Sequence, residues 1–305
     1  MDIRQIECFL RLCEEGSITR AAQTLGIVQP ALSAQIARLE KDLRVQLFER
    51  NRRGVTLTAA GADLQKMLLP LSAEIVSVRQ RMHDLAGEQS GVMRIGVMPS
   101  IAANVMPRVV HAFSQRTPGT SMHITEAYST TLTEALEAGG LDFAIVTRTN
   151  RIRALTSLPL AMEELVLVRA ASDSSAPSLT DVAPEKLILP TSAQGLRLVI
   201  DAGLRGLDIA IEPLLEIDSL SMTLGMVEAG GWATILAATA IADRLARGTI
   251  QIQRIHERFQ RELVVMHHPR RPLSLRAQAL CAVLQEEVER VNRVARLALD
   301  GAPDR

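Results

Sequence analysis

The chain has 305 residues, enough for two or three domains, and its 34 basic and 34 acidic side chains leave no net charge. This balance excludes a protein that binds nucleic acid through its overall charge. No 18-residue apolar run that could span a membrane and no signal peptide is visible. The three cysteines fall in predicted helices, so we expect reduced thiols and a soluble, cytoplasmic protein.

Residues 1–58 predict three short helices that share one core. The first helix carries apolar residues on one face: Ile3, Ile6, Phe9, Leu10 and Cys13. Ser17 is a good N-cap for a second helix from Ile18 to Leu25, which Gly26 closes in the left-handed conformation. Pro30 fits position N1 of a third helix, whose apolar stripe is Leu32, Ile36, Leu39 and Leu43. Its outward residues are Gln29, Ser33, Ala34, Ala37 and Arg38. This helix-turn-helix predicts DNA as a partner.

A hairpin, or wing, is predicted after the third helix. Leu47 to Arg50 and Val55 to Leu57 flank a turn at Asn51-Arg52-Arg53-Gly54, with glycine where a positive φ is needed. Residues 1–58 carry nine basic and seven acidic residues, a net charge of +2, and the excess lies in the wing. Either the wing contacts DNA phosphates, or the helices form a packing module and the arginines are a solvated face.

A long helix is predicted from Thr58, a plausible N-cap, to about Ala86, and Gly87 to Gly91 mark a domain boundary. Its apolar residues alternate at spacings of four and three: Leu64, Leu68, Leu71, Ile75, Val78, Met82 and Leu85. This heptad pattern predicts pairing of two copies of the chain; the alternative is an amphipathic helix that packs on its own domain. Pro70 predicts a kink.

Beyond residue 91, short apolar runs alternate with helical patterns, and this βαβ rhythm predicts a mostly parallel sheet. The predicted strands are Met93 to Val97, Met122 to Ala127, Phe143 to Thr147, Leu165 to Arg169, Leu187 to Leu189, Leu214 to Ile217, Trp232 to Leu236 and Leu263 to His267. The predicted helices are Ala102 to Gln115, Leu132 to Ala138, Leu196 to Leu204, Leu220 to Ala229 and Ser274 to Ala298. We expect two α/β lobes, of residues 91–161 with 266–305 and of residues 162–265.

Four pairs of residues follow predicted strands and open predicted helices: Pro99-Ser100, Ser129-Thr130, Thr191-Ser192 and Asp218-Ser219. Such positions face the crevice between lobes, and helix N-termini favour anions. Each pair alone is more often only a helix cap. Their recurrence at matched places predicts one shared pocket for a small carboxylate or similar effector.

Ser17 to Gly61 resembles the LysR-type transcriptional regulators through Gln29-Pro30-Ala31-Leu32-Ser33, Leu47-Phe48-Glu49-Arg50 and Leu57-Thr58-Ala59-Ala60-Gly61. The resemblance implies that Gln29, Pro30, Ser33 and Arg38 lie at the major groove and that Arg50, Arg52 and Arg53 meet phosphates. Ala34 stands where the family commonly has a basic residue, and Arg44 where it commonly has glycine. These two departures put the base readout and the helix-to-wing turn in question.

The rest of the chain resembles the family's effector domains, which are similar to periplasmic solute-binding proteins, through Pro99-Ser100-Ile101, Gly139-Gly140-Leu141-Asp142-Phe143 and Glu216-Ile217-Asp218-Ser219-Leu220. The resemblance implies effector-binding residues, which are Ser100, Ser129, Thr130, Thr147, Thr191, Ser192 and Gly195. Glu126-Ala127-Tyr128-Ser129 is similar to the nitrogen-assimilation and catabolic regulators. Ala237 stands where the family usually has proline, so the edge of the second lobe is expected to differ.

We expect neither an enzyme nor a cofactor, because the sequence contains no Gly-x-Ser-x-Gly, Walker loop or His-Glu-x-x-His motif. His267 and His268 are adjacent in a predicted strand and point to opposite faces, so no metal site is expected. A peroxide-sensing regulator of this family needs a cysteine pair in the sensing lobe, where Cys8, Cys13 and Cys281 do not lie, so redox sensing is not expected.

These observations predict an α/β protein with an all-α winged helix-turn-helix domain (residues 1–58), a linker helix for dimerisation (59–90) and a two-lobed α/β effector-binding domain of the type II periplasmic-binding-protein kind (91–305). The predicted function is a LysR-type regulator that binds an interrupted palindrome in double-stranded DNA and a small, anionic effector. The expected assembly is a homodimer or homotetramer, with RNA polymerase a candidate partner and no membrane. Two alternatives are a regulator that needs no effector and a cytoplasmic ligand-binding protein whose N-terminal module contacts protein.

Overall fold

The computed structural model describes residues 1–51, 54–85, 92–149, 154–173, 179, 186–256 and 259–300. The chain divides into two compact units, one of residues 1–81 with 137–140 and one of residues 82–136 with 141–305. In the described ranges, no helix is long and apolar enough to cross a lipid bilayer.

The N-terminal part is built from helices and one hairpin. Its elements are α1 (Ile3–Glu15), α2 (Ile18–Thr24), α3 (Gln29–Leu43), β1 (Phe48–Asn51), β2 (Gly54–Leu57) and α4 (Ala59–Leu85). The first three helices share a core that includes Phe9, Leu12, Ala21, Leu32 and Leu39. The rings of Phe9 and Phe48 pack with centroids 5.3 Å apart, which joins the hairpin to this core. The predicted three-helix core is confirmed.

Local capping sets the limits of the helix-turn-helix. The Ser17 hydroxyl accepts a hydrogen bond from the N–H of Arg20 at the start of α2, and Gly26 has the left-handed φ of +64° just beyond its end. Both features were predicted. α3 begins at Gln29, so Pro30 is its second residue and not its first. A proline is tolerated there because N–H groups of the first turn have no intrahelical partner.

The wing is anchored to the end of α1. Asn51 pairs with Gly54, so β1 and β2 each extend one residue further toward the turn than predicted. Gly54 has a φ of +135°, and a Cβ there would lie 2.6 Å from the backbone oxygen of Gly16. The N–H of Val55 donates to the same oxygen at 3.0 Å. This close approach explains the glycine at position 54. Arg52 and Arg53 lie outside the described residues.

The turn between α3 and the wing keeps a left-handed residue although that residue is Arg44, whose φ is +57°. The Glu40 carboxylate accepts hydrogen bonds from the backbone N–H groups of Leu47 at 2.8 Å and Phe48 at 3.3 Å. These bonds fix the backbone where the chain enters β1. Leu43, the last residue of the predicted apolar stripe, is 39% exposed because α3 ends there.

Helix α4 carries two different apolar surfaces. Thr58 caps it, since its hydroxyl accepts from the N–H of Gly61 at 3.0 Å. Leu64 and Leu68 are buried in the core of the N-terminal helices, whereas Leu71, Val78 and Met82 are 44%, 61% and 54% exposed. The first two positions of the predicted heptad therefore pack within the chain's own domain. Of the other predicted heptad positions, Leu71, Ile75, Val78 and Met82 are left for a partner, and the side chain of Leu85 lies outside the described residues.

The second unit is a two-lobed α/β domain. Its strands are β3 (Val92–Val97), β4 (Ser121–Glu126), β5 (Phe143–Thr147), β6 (Thr156–Ala170), β7 (Leu187–Leu189), β8 (Leu215–Glu216), β9 (Ala233–Ala237), β10 (Ile250–Arg254) and β11 (Gln260–His267). Its helices are α5 (Pro99–Asn104), α6 (Met106–Arg116), α7 (Ser129–Glu137), α8 (Gly195–Gly206), α9 (Leu220–Glu228), α10 (Ala238–Arg247) and α11 (Leu275–Asp300).

Two long strands, β6 and β11, cross between the lobes. The strand order is β4-β3-β5-β11-β6-β9-β7-β8, with β10 also paired to β6. Lobe 1 is formed by β3, β4, β5 and the lobe-1 ends of the crossing strands; lobe 2 contains β7 to β10 and the second half of β6. The pairings of β3 with β4 and β5, and of β7 with β8 and β9, are parallel. The crossing strands make only antiparallel pairs, so the predicted mostly parallel sheet is corrected.

Several predicted boundaries in this domain are also corrected. The helix predicted from Ala102 is two helices that break at Val105, because Pro107 lies in the first turn of α6. β6 extends nine residues before the predicted start at Leu165. β11 already pairs with β5 from Leu263, so the chain is back in lobe 1 before residue 266. α10 and β10 were not predicted.

Candidate functional site

The outward face of α3 is polar and accessible. Gln29, Pro30 and Arg38 are exposed and Ser33 is half-buried. The Gln29 side chain donates to the Thr19 hydroxyl of α2 at 2.5 Å, which fixes the two helices of the helix-turn-helix against each other. Helix α3 thus presents its first turn on the surface.

A cleft of about 630 Å³, counting its open mouth, lies between the lobes of the second unit. Most of its walls are apolar, with side chains that include Met98, Leu189, Pro190, Ile217, Leu220 and Leu236. Its polar groups are few, among them Ser100, Ser129, Gln194, Tyr128 and Arg261. An apolar cleft with a few convergent polar groups is typical of small-molecule sites.

An ion pair between the crossing strands supports the cleft. Arg261 of β11 faces Glu163 of β6 in the sheet register, and the two side chains are 3% and 0% exposed with an N–O distance of 2.6 Å. Arg261 Nη2 also donates to the hydroxyls of Ser100 at 3.1 Å and Thr239 at 3.0 Å. Glu163 Oε1 accepts from the backbone N–H of Thr239 at 3.2 Å and so caps α10. The network joins α5, α10 and both crossing strands.

The lobe-1 wall contains two of the predicted site residues, and a third lies behind it. Ser100 and Ser129 line the cleft, and both are buried. The hydroxyls of Ser129 and Thr147 contact the Met98 sulfur at 3.4 and 3.5 Å. Thr147 is fully buried behind Met98 and does not line the cleft.

The lobe-2 wall is organised by a carboxylate. Asp218 accepts hydrogen bonds from the backbone N–H of Thr191 at 3.0 Å and from its hydroxyl at 2.9 Å, and also bonds the Gln194 side chain. Burial would raise the pKa of Asp218, but these bonds together hold its pKa below the ordinary value. Thr191 is therefore engaged within the wall. The Gln194 Oε1 atom is buried without a partner among the described residues, at the edge of the cleft.

Thr130 and Tyr128 of lobe 1 both contact lobe 2. The Thr130 hydroxyl donates to the backbone oxygen of Ala193 at 3.4 Å. Tyr128 lies against the start of α9. Burial and the charge of Asp218 raise the pKa of its hydroxyl above the ordinary value, and a hydrogen bond with the backbone of Leu220 offsets part of this rise. Ser192 is exposed and does not line the cleft, whereas Gly195 does.

Sequence reasoning missed Glu163, Gln194, Tyr128 and Arg261. Glu163 and Arg261 are 98 residues apart, and only the register of two strands brings them together. Each lies two residues before a predicted apolar strand, and the one available signal was that a charged residue must find a partner if the strand extends to bury it. Tyr128 lies inside a motif that carries the family resemblance but was not assigned a role.

The cysteines lie away from this cleft. Burial raises the pKa of Cys13 and of Cys281 to about 12, and it also raises the pKa of Cys8. All three are free thiols. A thiol with a raised pKa is almost fully protonated near pH 7 and is a poor nucleophile.

Comparison with known proteins assigns both units to one family. The bacterial regulatory helix-turn-helix protein model of the lysR family matches residues 3–62, and the LysR substrate binding domain model matches residues 86–289. The nitrogen assimilation regulatory protein nac of Klebsiella aerogenes is 29% identical over 243 residues, 79% of each chain. The hydrogen peroxide-inducible genes activator of Escherichia coli O6:H1 is 26% identical over 299 residues, 95% of this chain and 96% of that one. A full-length OxyR variant from Pseudomonas aeruginosa has the same fold, with a TM-score of 0.73 over 96% of this chain and 97% of that chain at 20% identity.

Proposed function

The chain belongs to the LysR family and is a DNA-binding transcriptional regulator with an effector-binding domain, and from this premise we propose that its effector is a small, largely apolar molecule with an anionic group, held between the lobes. The group would be a carboxylate or a similar acceptor that bonds Ser100 and Arg261. Ser129, Gly195 and Gln194 would complete the site. Thr147, Thr191 and Ser192 are left out, because their side chains are buried elsewhere, already bonded or turned away from the cleft.

This proposal rests on the direction of the hydrogen bond between Arg261 and Ser100. Arg261 has only donors, so the Ser100 oxygen must accept from it. The Ser100 proton is then free to donate into the cleft. Glu163 compensates the charge of Arg261, so the preference comes from the free proton itself, which bonds an anionic acceptor more strongly than a neutral one. The apolar walls would take the remainder of the molecule.

The test uses the full-length protein with hexanoate, benzoate and cyclohexanecarboxylate, each compared with its uncharged amide, in thermal-shift and calorimetric titrations. At least one carboxylate should bind more tightly than its amide. Ser100→Ala should weaken it about tenfold, the size of one hydrogen bond to a charged group. Ser192→Ala, which changes an exposed serine outside the cleft, is the matched control.

Equal binding of amides and carboxylates would contradict an anionic effector. If none of the six compounds bound, the regulator that needs no effector would be favoured. If Ser192→Ala weakened binding as much as Ser100→Ala, the assignment of the site would be wrong.

For DNA, we propose that the first turn of α3 and Arg38 enter the major groove and that Arg50, Arg52 and Arg53 contact phosphates. The exposed first turn and the glycine-anchored wing beside it support this assignment. Two copies would pair through Leu71, Ile75, Val78 and Met82 of α4, as a homodimer or within a homotetramer. A net charge of only +2 on residues 1–58 supports pairing, because two copies double the phosphate contacts.

Selection of genomic fragments by the purified protein, followed by sequencing, tests this directly. An interrupted palindrome should be recovered. The triple change Arg50→Ala, Arg52→Ala and Arg53→Ala should lower affinity and make the salt dependence shallower, by about 0.9 in the log–log slope for each phosphate that is no longer neutralised. Arg116→Ala, an exposed arginine of α6, is the control. Unchanged affinity in the triple variant would favour a protein-contacting module.

This role requires no catalytic step, so we propose that the chain is not an enzyme and acts in the cytoplasm, where bacterial regulators meet the chromosome.

A further inference from the structure

A second compartment shares four lining residues with the cleft, and we propose that this compartment holds a protonated amine on the same effector, which would then be a zwitterion. The inference rests on the proposed function, because it places the anionic end of the molecule at Ser100 and Arg261. It adds the chemistry of the opposite end.

The second compartment has a volume of about 780 Å³, counting open space, and shares Pro99, Tyr128, Leu220 and Ala240 with the cleft. It is more polar than the cleft and includes two carboxylates, Glu126 and Asp218. The hydroxyls of Ser219 and Ser221 also line it. The shared residues make the two spaces neighbours, and the proposal is that one small molecule reaches from one to the other.

The charges of this compartment favour a cation. Among the described residues, Glu126 and Asp218 form no ion pair, and Asp218 stays ionised because its hydrogen bonds lower its pKa. Arg244 is the cation that also lines the space, but its charge is compensated by Glu228, whose carboxylate lies 3.4 Å from Arg244 Nε. The balance is therefore negative.

The start of α9 does not offset this negative balance. A helix N-terminus attracts anions through free N–H groups. Here the Ser219 hydroxyl accepts from the N–H of Met222 at 3.3 Å, the Ser219 carbonyl accepts from Thr223, and the backbone of Leu220 bonds Tyr128. With these groups engaged, the compartment offers mainly acceptors.

An unused acceptor belongs to a residue that lines the cleft and also bonds Asp218 of the second compartment. The Gln194 Oε1 atom is buried, has no partner in the described part of the chain and belongs to a residue that lines the cleft. A buried acceptor without a donor costs free energy that a ligand N–H recovers. The donors at Ser100 and Arg261 and the acceptors of the second compartment together match a molecule with a carboxylate at one end and an ammonium at the other.

The test is calorimetric titration of the full-length protein with matched pairs: hexanoate against 6-aminohexanoate, and 4-methylbenzoate against 4-(aminomethyl)benzoate. In at least one pair the amine should bind more tightly, by about tenfold if it meets both carboxylates. Glu126→Gln should reduce that preference about threefold and leave the plain carboxylate unaffected. Glu134→Gln, an exposed glutamate of α7 that lines neither space, is the control.

A plain carboxylate that binds, together with an amine that gains nothing, would overturn the zwitterion and leave the proposed function intact. A preference that survives Glu126→Gln unchanged would likewise overturn the assignment of the compartment. If neither member of either pair bound, the proposed function would fail and this inference with it.

Discussion

Arg44 occupies a backbone conformation that suits glycine. Its φ of +57° makes it, with Asp208, one of two non-glycine residues with positive φ in the described chain. Its N–H is used in closing α3, on the carbonyls of Glu40 and Lys41. The turn into the wing is therefore specified by these bonds and by Glu40. The left-handed conformation of the arginine lowers the free energy of unfolding by about 1 kcal/mol.

Arg44→Gly should raise the free energy of unfolding by up to about 1 kcal/mol, because glycine adopts the left-handed conformation without a Cβ clash. Urea denaturation of the full-length protein measures this. Lys41→Gly, three residues earlier and within α3, should lower stability by about 1 kcal/mol and is the control. A loss of stability in both variants would mean that Arg44 makes a compensating contact.

Asp218 should couple stability to pH. Its folded pKa is lowered, so its ionised form stabilises the folded state above the unfolded pKa of about 3.9, and this contribution is lost as pH falls through the folded value. Asp218→Asn should therefore lower the melting temperature at pH 7, and the difference from the wild type should shrink toward pH 3. Melting curves across this range give the comparison. Thr191→Val, which removes one of the hydrogen bonds, should act in the same direction with a smaller effect; a constant difference at every pH would exclude this coupling.

Elements with local signals could be predicted, and elements specified at a distance could not. α2 and the start of α4 were predicted within one residue, because Ser17, Gly26 and Thr58 cap these helices from neighbouring positions in the sequence. α10 was missed because its first turn is capped by Glu163, 76 residues away. β6 was predicted at only part of its length, since its first half mixes exposed, half-buried and buried residues without a regular period. Likewise, hydroxyl-bearing strand ends located the cleft, but Arg261 could not be placed before the strand register was known.

The two surfaces of α4 predict opposite effects of two similar truncations. Leu68→Ala removes a side chain that is 1% exposed and should cost about 2–5 kcal/mol of stability. Val78→Ala removes one that is 61% exposed, so it should leave the stability of the monomer nearly unchanged and weaken self-association. Chemical denaturation and sedimentation equilibrium separate the two effects. A Val78→Ala protein that assembled like the wild type would exclude this residue from the pairing surface.

At the scale of the whole molecule, the chain is similar over 95% of its length to a peroxide-inducible activator but carries its thiols outside the cleft. Its cleft instead has a polar network at one end and apolar walls. The function proposed for this cleft needs a ligand that bridges the lobes, and none of the three cysteines lines the cleft. The Thr130–Ala193 contact and the position of Tyr128 against α9 mark where such a bridge would alter the lobes.

Hydrogen peroxide in molar excess should therefore leave DNA binding unchanged. The pKa of Cys13 and of Cys281 is raised to about 12 by burial, so the reactive thiolate is nearly absent at neutral pH. Peptide mass spectrometry should find no oxidation of the three cysteines in the folded protein, with methionine sulfoxide counted separately because several methionines are exposed. A gel-shift assay should give the same affinity before and after treatment. The protein unfolded in urea is the positive control, since its thiols return to a pKa of about 8.5 and react. A peroxide response that disappears when all three cysteines are changed to serine would contradict this prediction and place a redox trigger in helices α1 or α11.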